Sequence, residues 1–159
     1  MKLAIYCDGG ARGNPGPAAS AVIIVLNESA SNQGGNPTDN LRELWSAGFF
    51  LGHATNNVAE YTAVLEAWKW LVTNLTNWTN LTNLEISFFL DSNLVVSQLN
   101  GIFKLKNENL RWYFDQIKEL EQILKKNRRE LQLDYVYIPR EKNWQADKLV
   151  NQVLDQHTN

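Results

Sequence analysis

The sequence predicts one α/β domain, with a five-stranded mixed sheet flanked by helices. Three strand-like segments come first without helices between them, and helix-like and strand-like segments then alternate to the end. The chain has 159 residues and 44% hydrophobic composition, which supports one core but is short for two. We therefore expect a single domain over residues 1–159, with residues 155–159 as a flexible tail.

Three strands are predicted before the first helix, at residues 2–8, 18–26 and 44–52. Between the first two, the glycines and prolines of segment 9–17 predict a loop. The polar segment 27–40 predicts a long connection to the third strand. Sequential strands without intervening helices predict an antiparallel arrangement of this half of the sheet.

The spacing of apolar residues changes to that of a helix at about Asn56. From Val58 to Val72 apolar residues recur three and four positions apart, and Asn56 or Asn57 is the expected N-cap. The remaining predicted elements are strand 84–90, helices 92–100 and 107–126, strand 131–138 and helix 144–155. Because the fourth and fifth strands follow helices, we expect them to run parallel to the first.

Composition excludes several classes of protein. One cysteine excludes an internal disulfide framework and a multi-cysteine metal site. No apolar run approaches the ~18 residues of a membrane helix, and the segment Met1–Asp8 does not resemble a signal peptide. We therefore expect a cytoplasmic protein without a membrane partner or an obligate protein partner, and a monomer.

Three tandem Asn-x-Thr triplets span Asn74–Thr82. As glycosylation acceptors they would require secretion, which nothing in the N-terminal segment indicates. The alternative, which we favour, is a helix end and turn whose apolar residues Leu75, Trp78 and Leu81 rest on the core.

Four acidic residues are candidates for chemistry. Asp8 and Asp91 each end a predicted parallel strand, so they should emerge side by side at the edge where open α/β sheets bind ligands. Glu60 and Asp147 lie near the starts of helices. Each acid alone has an ordinary explanation as a turn former or a helix-start residue. Together, carboxylates ~4 Å apart repel by roughly 4 kcal/mol per pair at an effective dielectric near 20, so a cluster predicts divalent cations such as Mg²⁺ or Mn²⁺.

Five blocks in order resemble the signature of type 1 ribonuclease H. They are Tyr6-Cys7-Asp8-Gly9-Gly10, Gly13-Asn14-Pro15-Gly16, Thr55-Asn56-Asn57-Val58-Ala59-Glu60, Asp91-Ser92 and Asn143–Asn151. The resemblance extends from Lys2 to about Leu154 and implies the ribonuclease H-like fold. It further implies an endonuclease that hydrolyses the RNA strand of RNA–DNA hybrids with little sequence specificity, leaving 5′-phosphate and 3′-hydroxyl ends.

The resemblance also implies roles for individual residues. Two Mg²⁺ ions, for which Mn²⁺ would substitute, would be bridged by Asp8, with Asp147 on the ion that activates water and Glu60 and Asp91 on the ion at the leaving group. Short polar residues would test for the ribose 2′-hydroxyl in the minor groove, and Thr55 with Asn14 would hold a phosphate of the DNA strand. The substrate-binding residues implied are Gly10, Ala11, Asn14, Thr55, Asn56, Asn57, Ser92 and Asn93.

Two features of many relatives are missing from the sequence. The loop Pro139–Asn143 has no histidine, and Gly101–Asn107 leads into the next helix without a basic, Trp-containing protrusion. The chain thus resembles the shorter archaeal and certain bacterial forms, and we expect weaker hybrid binding than in relatives with the protrusion, with a noticeable salt dependence.

Other functions remain open on sequence grounds. The first alternative is that the chain is a hybrid-binding module that has lost catalysis. The second is that it is another enzyme of the same fold, such as a resolvase, an integrase-like strand-transfer domain or an exonuclease. The four acids argue against the first, and the Asn14 and Asn56-Asn57 blocks argue against the others. The glycine-rich loop matches neither nucleotide-binding glycine pattern, which argues against a phosphate cradle there.

Overall fold

A computed structural model describes residues 1–28, 41–78, 83–128 and 130–158. The elements in chain order are β1 (Lys2–Ala11), β2 (Gly16–Asn27), β3 (Leu41–Ala54), α1 (Asn56–Leu75), β4 (Glu85–Leu90), α2 (Asn93–Leu99), α3 (Glu108–Asn127), β5 (Gln132–Tyr137) and α4 (Trp144–His157), with one 3-10 turn at Arg140–Lys142. This order is the one that the sequence predicts. Most of the predicted segment 27–40 lies outside the described residues.

The five strands form one mixed sheet in the order β3-β2-β1-β4-β5. β1 pairs antiparallel with β2, and β2 pairs antiparallel with β3. β4 lies parallel to β1 on its other side, and β5 lies parallel to β4. The predicted fold class is therefore confirmed, with β1 at the centre of the sheet.

The hairpin between β1 and β2 is tighter than the sequence predicts. We expected a loop over 9–17, but Gly9, Gly10 and Ala11 continue β1 by pairing with β2. Glycine and proline content alone was misleading here, because the antiparallel register extends the pairing nearly to the turn. The connection shrinks to four residues, and the Arg12 N–H donates to the Pro17 carbonyl at 2.8 Å across its base.

Helix α1 lies unusually close to the central strand at Gly9. A Cβ atom on Gly9 would overlap the backbone of Ala59 and Glu60. On the neighbouring strand, the buried Ser20 hydroxyl donates to the Ala59 carbonyl at 2.6 Å. The missing side chain and this hydrogen bond together fix the first turn of α1 against β1.

Helix α4 covers the opposite face of the sheet. Small residues of β2 and β3 leave room for it: Ala19 and Ala21 pack against Val150 and Val153, and Gly48 lies directly under Val153. The helix runs to His157, two residues beyond the predicted end, so part of the expected tail is helical. The His157 ring stacks on Phe50 of β3 with centroids 4.3 Å apart.

The main core lies between the other sheet face and the helices α1 and α3. It contains one buried polar network. The Trp68 indole N–H donates to the Tyr135 hydroxyl at 3.0 Å, and that hydroxyl donates to Glu121 at 2.9 Å. Burial raises the pKa of Glu121, but the hydrogen bonds from Lys125 and Lys118 outweigh this effect and lower the pKa overall. The buried carboxylate is thus paired, as a charge in a core must be.

Two local predictions have different outcomes. The N-cap of α1 is Thr55, whose hydroxyl accepts from the Val58 N–H at 3.2 Å. It is therefore neither Asn56 nor Asn57, the two residues predicted to cap the helix. Both asparagines already lie within the helix. In the Asn-x-Thr segment, Leu75 and Trp78 pack on the core as predicted, whereas Leu81 lies outside the described residues.

Within the described ranges, no helix has the length and apolar character needed to cross a membrane.

Gly9→Ala should destabilise the fold, because the added methyl group must push α1 away from β1. Overpacking of this kind costs about 1–3 kcal/mol, and a clash with backbone belongs at the upper end. The expected loss is therefore about 3 kcal/mol, or a fall in thermal midpoint of roughly 6–12 °C for a chain of this size. Circular dichroism melting curves measure it.

Gly10→Ala is the matched control, since a Cβ atom there would meet only the Val150 side chain, at 3.9 Å. Its midpoint should stay close to that of the wild type. Equal midpoints for the two variants would contradict the close approach at Gly9.

Candidate active site

The parallel pairing of β1 with β4 brings the first two acids together. Tyr6 pairs with Phe89, and the same offset continued by two residues puts Asp8 level with Asp91. Asp8 is still within β1 and is buried, whereas Asp91 follows the last residue of β4 and is half-buried. The side-by-side placement predicted from strand order is found.

Glu60 completes a compact group of three carboxylates. One carboxylate oxygen from each of Asp8, Glu60 and Asp91 lies within 4.8 Å of the others. Glu60 reaches this position because α1 lies against Gly9. Its side chain is buried, and its Oε2 atom has no hydrogen-bond partner among the described residues. A buried carboxylate oxygen without a partner is costly, and binding a ligand or a proton removes that cost.

Burial and mutual repulsion shift the protonation of the whole group. Burial, followed by the charges of Asp91 and Asp147, raises the pKa of Asp8 to about 7. Burial, followed by the charges of Asp8 and Asp91, raises the pKa of Glu60 well above its usual range. The pKa of Asp91 is also raised by burial. Without a cation, the folded protein therefore holds protons at this site near neutral pH.

Asp147 lies next to this group but outside the 4.8 Å set. It is in the first turn of α4, and its charge contributes to the raised pKa of both Asp8 and Asp91. Its Oδ1 atom accepts from Arg140 Nη2 at 3.2 Å. The structure thus brings three of the four predicted acids into one cluster and pairs the fourth with a cation at its rim.

Arg140 and Asn143 are two residues at the site that the sequence reasoning missed. Arg140 lies in the loop where many relatives carry histidine. Its place in that loop could have identified it as a candidate site residue. Asn143 is buried before α4, and its Nδ2 donates to the Cys7 carbonyl at 2.8 Å. Its hydrogen bond also lowers the pKa of Asp91, against the effect of burial. Asn143 therefore ties the start of α4 to the ends of β1 and β4.

The predicted substrate-binding residues of the hairpin and of α1 are bonded to each other. The Ala11 N–H donates to Asn56 Oδ1 at 2.8 Å, and the Asn56 N–H donates to Asn14 Oδ1 at 3.0 Å. Both amide oxygens are therefore engaged within the protein. Among the described residues their NH₂ groups have no acceptor, so they can donate to phosphate and ribose oxygens.

The other predicted contact residues surround the acids. Thr55 and Ser92 each cap a helix, with Ser92 Oγ accepting from the Val95 N–H at 3.3 Å. Asn93 is exposed and Asn57 is half-buried, while a Cβ atom on Gly10 would be in ordinary contact with the Val150 side chain. From Thr55 an open groove of about 770 Å³ continues between α1 and α3 to the exposed Trp112, a residue that the sequence analysis did not select.

Comparison with known proteins supports the assignment of the fold and the site region. Residues 1–155 match the family model described as RNase H. The Bifunctional protein Rv2228c of Mycobacterium tuberculosis is 32% identical over 155 residues, which are 98% of this chain and 36% of that protein. Ribonuclease HI of Halobacterium salinarum is 32% identical over 150 residues, or 94% of this chain and 63% of that protein. The chain thus spans about a third of the first relative and under two thirds of the second.

A solved structure, LC11-RNase H1 isolated from compost by a metagenomic approach, matches with a TM-score of 0.78 and 35% identity, covering 99% of both chains. The same protein in complex with an RNA/DNA hybrid matches with a TM-score of 0.76 and 36% identity, again over 99% of both chains. The family match covers nearly the whole chain, and the identities agree with it. The chain therefore belongs to the ribonuclease H family, of type 1.

Proposed function

We propose that this chain is an endonuclease that hydrolyses the RNA strand of RNA–DNA hybrids with two divalent cations, leaving 5′-phosphate and 3′-hydroxyl ends. The observation that carries the proposal is the group of three carboxylates at the end of the central strands, with Asp147 beside it. Family membership supports the reaction class. The hybrid complex of LC11-RNase H1 supports the substrate.

The residues of the site fit a divalent cation. All the charged groups in the cluster are carboxylates, the ligands that Mg²⁺ and Mn²⁺ prefer. Among the described residues the buried Glu60 Oε2 has no hydrogen-bond partner, and burial followed by the charges of neighbouring carboxylates raises the pKa of both Asp8 and Glu60. Cation binding would satisfy the orphaned oxygen and relieve the repulsion together. We propose Mg²⁺ as the natural ion and Mn²⁺ as a substitute.

When bound, two such cations lower the pKa of an attacking water and stabilise the charge that develops on the leaving oxygen. We propose that Asp8 contributes ligands to both, because it is the central acid of the group. Glu60 and Asp91 would hold the cation on the leaving-group side. Asp147 would hold the one on the water side after exchanging its contact with Arg140.

Substrate choice is proposed to rest on the donors that line the site. The free NH₂ groups of Asn14 and Asn56 would donate to ribose and phosphate oxygens across the minor groove. Gly10, Ala11, Asn57, Ser92 and Asn93 would add contacts around them, and Thr55 with Asn14 would hold a phosphate of the DNA strand. Beyond Thr55, the exposed Trp112 offers an aromatic surface on which a sugar or base can pack.

Cleavage of RNA–DNA hybrid, and of no other duplex, is the first expected outcome. End-labelled hybrid, duplex RNA, single-stranded RNA and duplex DNA are incubated with Mg²⁺, Mn²⁺ or chelator, and products are sized against markers with known ends. Binding without cleavage would indicate a hybrid-binding module. Cleavage of duplex DNA would indicate a different enzyme of this fold.

Asp8→Asn should abolish cleavage while leaving the fold intact. The loss should exceed the roughly 10- to 100-fold typical of an outer-shell partner of a metal, because Asp8 would itself be a ligand. Steady-state rates with Mg²⁺ measure it, and Asp134→Asn on the exposed side of β5 is the matched control. An active Asp8→Asn enzyme would overturn the proposed role of the acid cluster.

The acid cluster should also make metal-free stability depend on pH. Asp8 has a pKa of about 7 in the folded protein against an ordinary value of 3.8, so folded protein binds a proton that unfolded chain releases. The stability from that proton is fully present below about pH 4 and is lost as pH rises through 7. Asp8→Asn removes the ionisable group and with it this loss of stability. The free energy of unfolding of the variant, relative to that of the wild type, should therefore rise by on the order of 4 kcal/mol from pH 4 to pH 8.

Urea unfolding in chelator at several pH values measures that difference, and Asp134→Asn should follow the wild type throughout. A constant difference between Asp8→Asn and wild type would mean that Asp8 does not titrate in this range. Added Mg²⁺ should stabilise the wild type most at high pH, where the carboxylates are charged.

Arg140→Ala should tighten Mg²⁺ binding, because the guanidinium competes with a cation for Asp147. The pair is largely exposed at Arg140, so the half-saturating Mg²⁺ concentration should fall only about two- to fivefold. Isothermal titration without nucleic acid measures it. Lys142→Ala in the same turn is the control, and weaker binding in Arg140→Ala alone would contradict the competition.

A further inference from the structure

We infer that Arg12 is a positioning residue that clamps the hairpin loop carrying Asn14 to the end of α4, and thereby sets the affinity of that loop for nucleic acid. The inference rests on the proposed function and adds a determinant of substrate binding to it. Arg12 lies outside the five sequence blocks that resemble the family signature, so the resemblance implies no role for it.

Arg12 reaches three residues at the end of α4. Its Nη2 lies 2.6 Å from Asp155 Oδ1 and 3.5 Å from Asn151 Oδ1, and its Nη1 donates to Thr158 Oγ1 at 3.0 Å. The Thr158 hydroxyl in turn donates to the Leu154 carbonyl at 2.7 Å, so it is oriented to accept from Arg12. One planar guanidinium thus links the hairpin to two successive turns of α4, a geometry that lysine cannot reproduce.

The same loop is bonded to α1 on its other side. Asn14 Oδ1 accepts from the Asn56 N–H, and Asn56 Oδ1 accepts from the Ala11 N–H. The connection between β1 and β2 has only four residues, Arg12 to Pro15, and Asn14 is one of them. A loop this short cannot move at Arg12 without moving Asn14, so the clamp at α4 fixes the donor that faces the substrate.

The clamp also leads back to the acid cluster. Asn151 Nδ2 donates to the Asp147 carbonyl at 3.0 Å, while its Oδ1 faces Arg12. The helix that carries Asp147 is therefore joined to the loop that carries Asn14 by side chains as well as by packing. This arrangement holds the proposed cation ligand and the proposed nucleic-acid donor at a fixed separation.

A direct contact between Arg12 and a phosphate is the competing explanation, because the side chain is 40% exposed. The two explanations differ at Asp155. If Arg12 contacts phosphate directly, Asp155→Ala releases the guanidinium and removes a nearby negative charge, so binding improves. If Arg12 is a clamp, Asp155→Ala loosens the loop, and binding weakens as it does in Arg12→Ala.

The experiment measures kcat and KM for hybrid cleavage by the full chain. Arg12→Ala, Arg12→Lys and Asp155→Ala should each raise KM about two- to fivefold, with kcat nearly unchanged, as expected for loss of an exposed ion-pair network. The exchange of charges in Arg12→Glu/Asp155→Arg should recover part of the loss. Lys2→Ala, which breaks the 2.9 Å pair with Glu85 at the far end of the sheet, is the control for a merely structural effect.

Hydrogen–deuterium exchange without substrate gives an independent measurement. Amides of residues 11–17 should exchange faster in Arg12→Ala and Asp155→Ala than in wild type and Lys2→Ala. Lower KM in Asp155→Ala, or unchanged KM and exchange in Arg12→Ala, would overturn the clamp. A wild type that binds hybrid but does not cut it would overturn the proposed function instead, and hybrid Kd values would then test the clamp in place of KM.

Discussion

The close approach of α1 to β1 at Gly9 is the constraint on which the rest of the site depends. Asp8 is fixed by the pairing of the central strand, and Asp91 follows from the parallel register of β4. Only the third acid needs a helix, and it reaches the other two because no side chain stands between the strand and the first turn of α1. Ser20 holds that turn from the neighbouring strand. The position of Glu60 therefore depends on the close approach of two backbones, and this approach does not require a bound ligand.

This construction concentrates negative charge where water is scarce, and the remainder of the fold must offset the cost. Burial raises the pKa of Asp8 to about 7, so the metal-free protein reduces the repulsion by keeping protons. By contrast, the buried Glu121 in the other half of the core has two lysines and a tyrosine hydroxyl as partners, and its pKa is lowered. The difference between the two carboxylates is informative. Glu121 is paired within the protein, as expected of a structural acid, whereas Glu60 has an oxygen with no partner in the part of the chain that the structure describes.

The order of elements and the mixed sheet could be predicted because apolar spacing is a local signal, and so could the meeting of Asp8 with Asp91, which follows from strand direction. The predictions failed where contacts between residues distant in sequence determine the local structure. Gly9 and Gly10 were assigned to a loop because glycine is read as a breaker, but pairing with β2 keeps them in a strand. The cap fell on Thr55 rather than Asn56 because the Asn56 side chain is used by Ala11. Arg140 was missed because its loop was considered only for the absence of histidine, and its contact with Asp147 is visible only in the folded structure.

Arg140 also constrains the chemistry open to this site. Its pKa is raised further by the hydrogen bond to Asp147, so it remains a cation at every pH at which the protein is folded. A permanent cation can attract phosphate or compete for a carboxylate, but it cannot accept a proton from water. Neither histidine belongs to the acid cluster, since His157 stacks on Phe50 and His53 lies in the groove beside Thr55. In the proposed reaction, proton acceptance near the phosphate would therefore fall to carboxylates or to solvent, and the pH dependence of cleavage should follow the acids rather than a side chain of the loop.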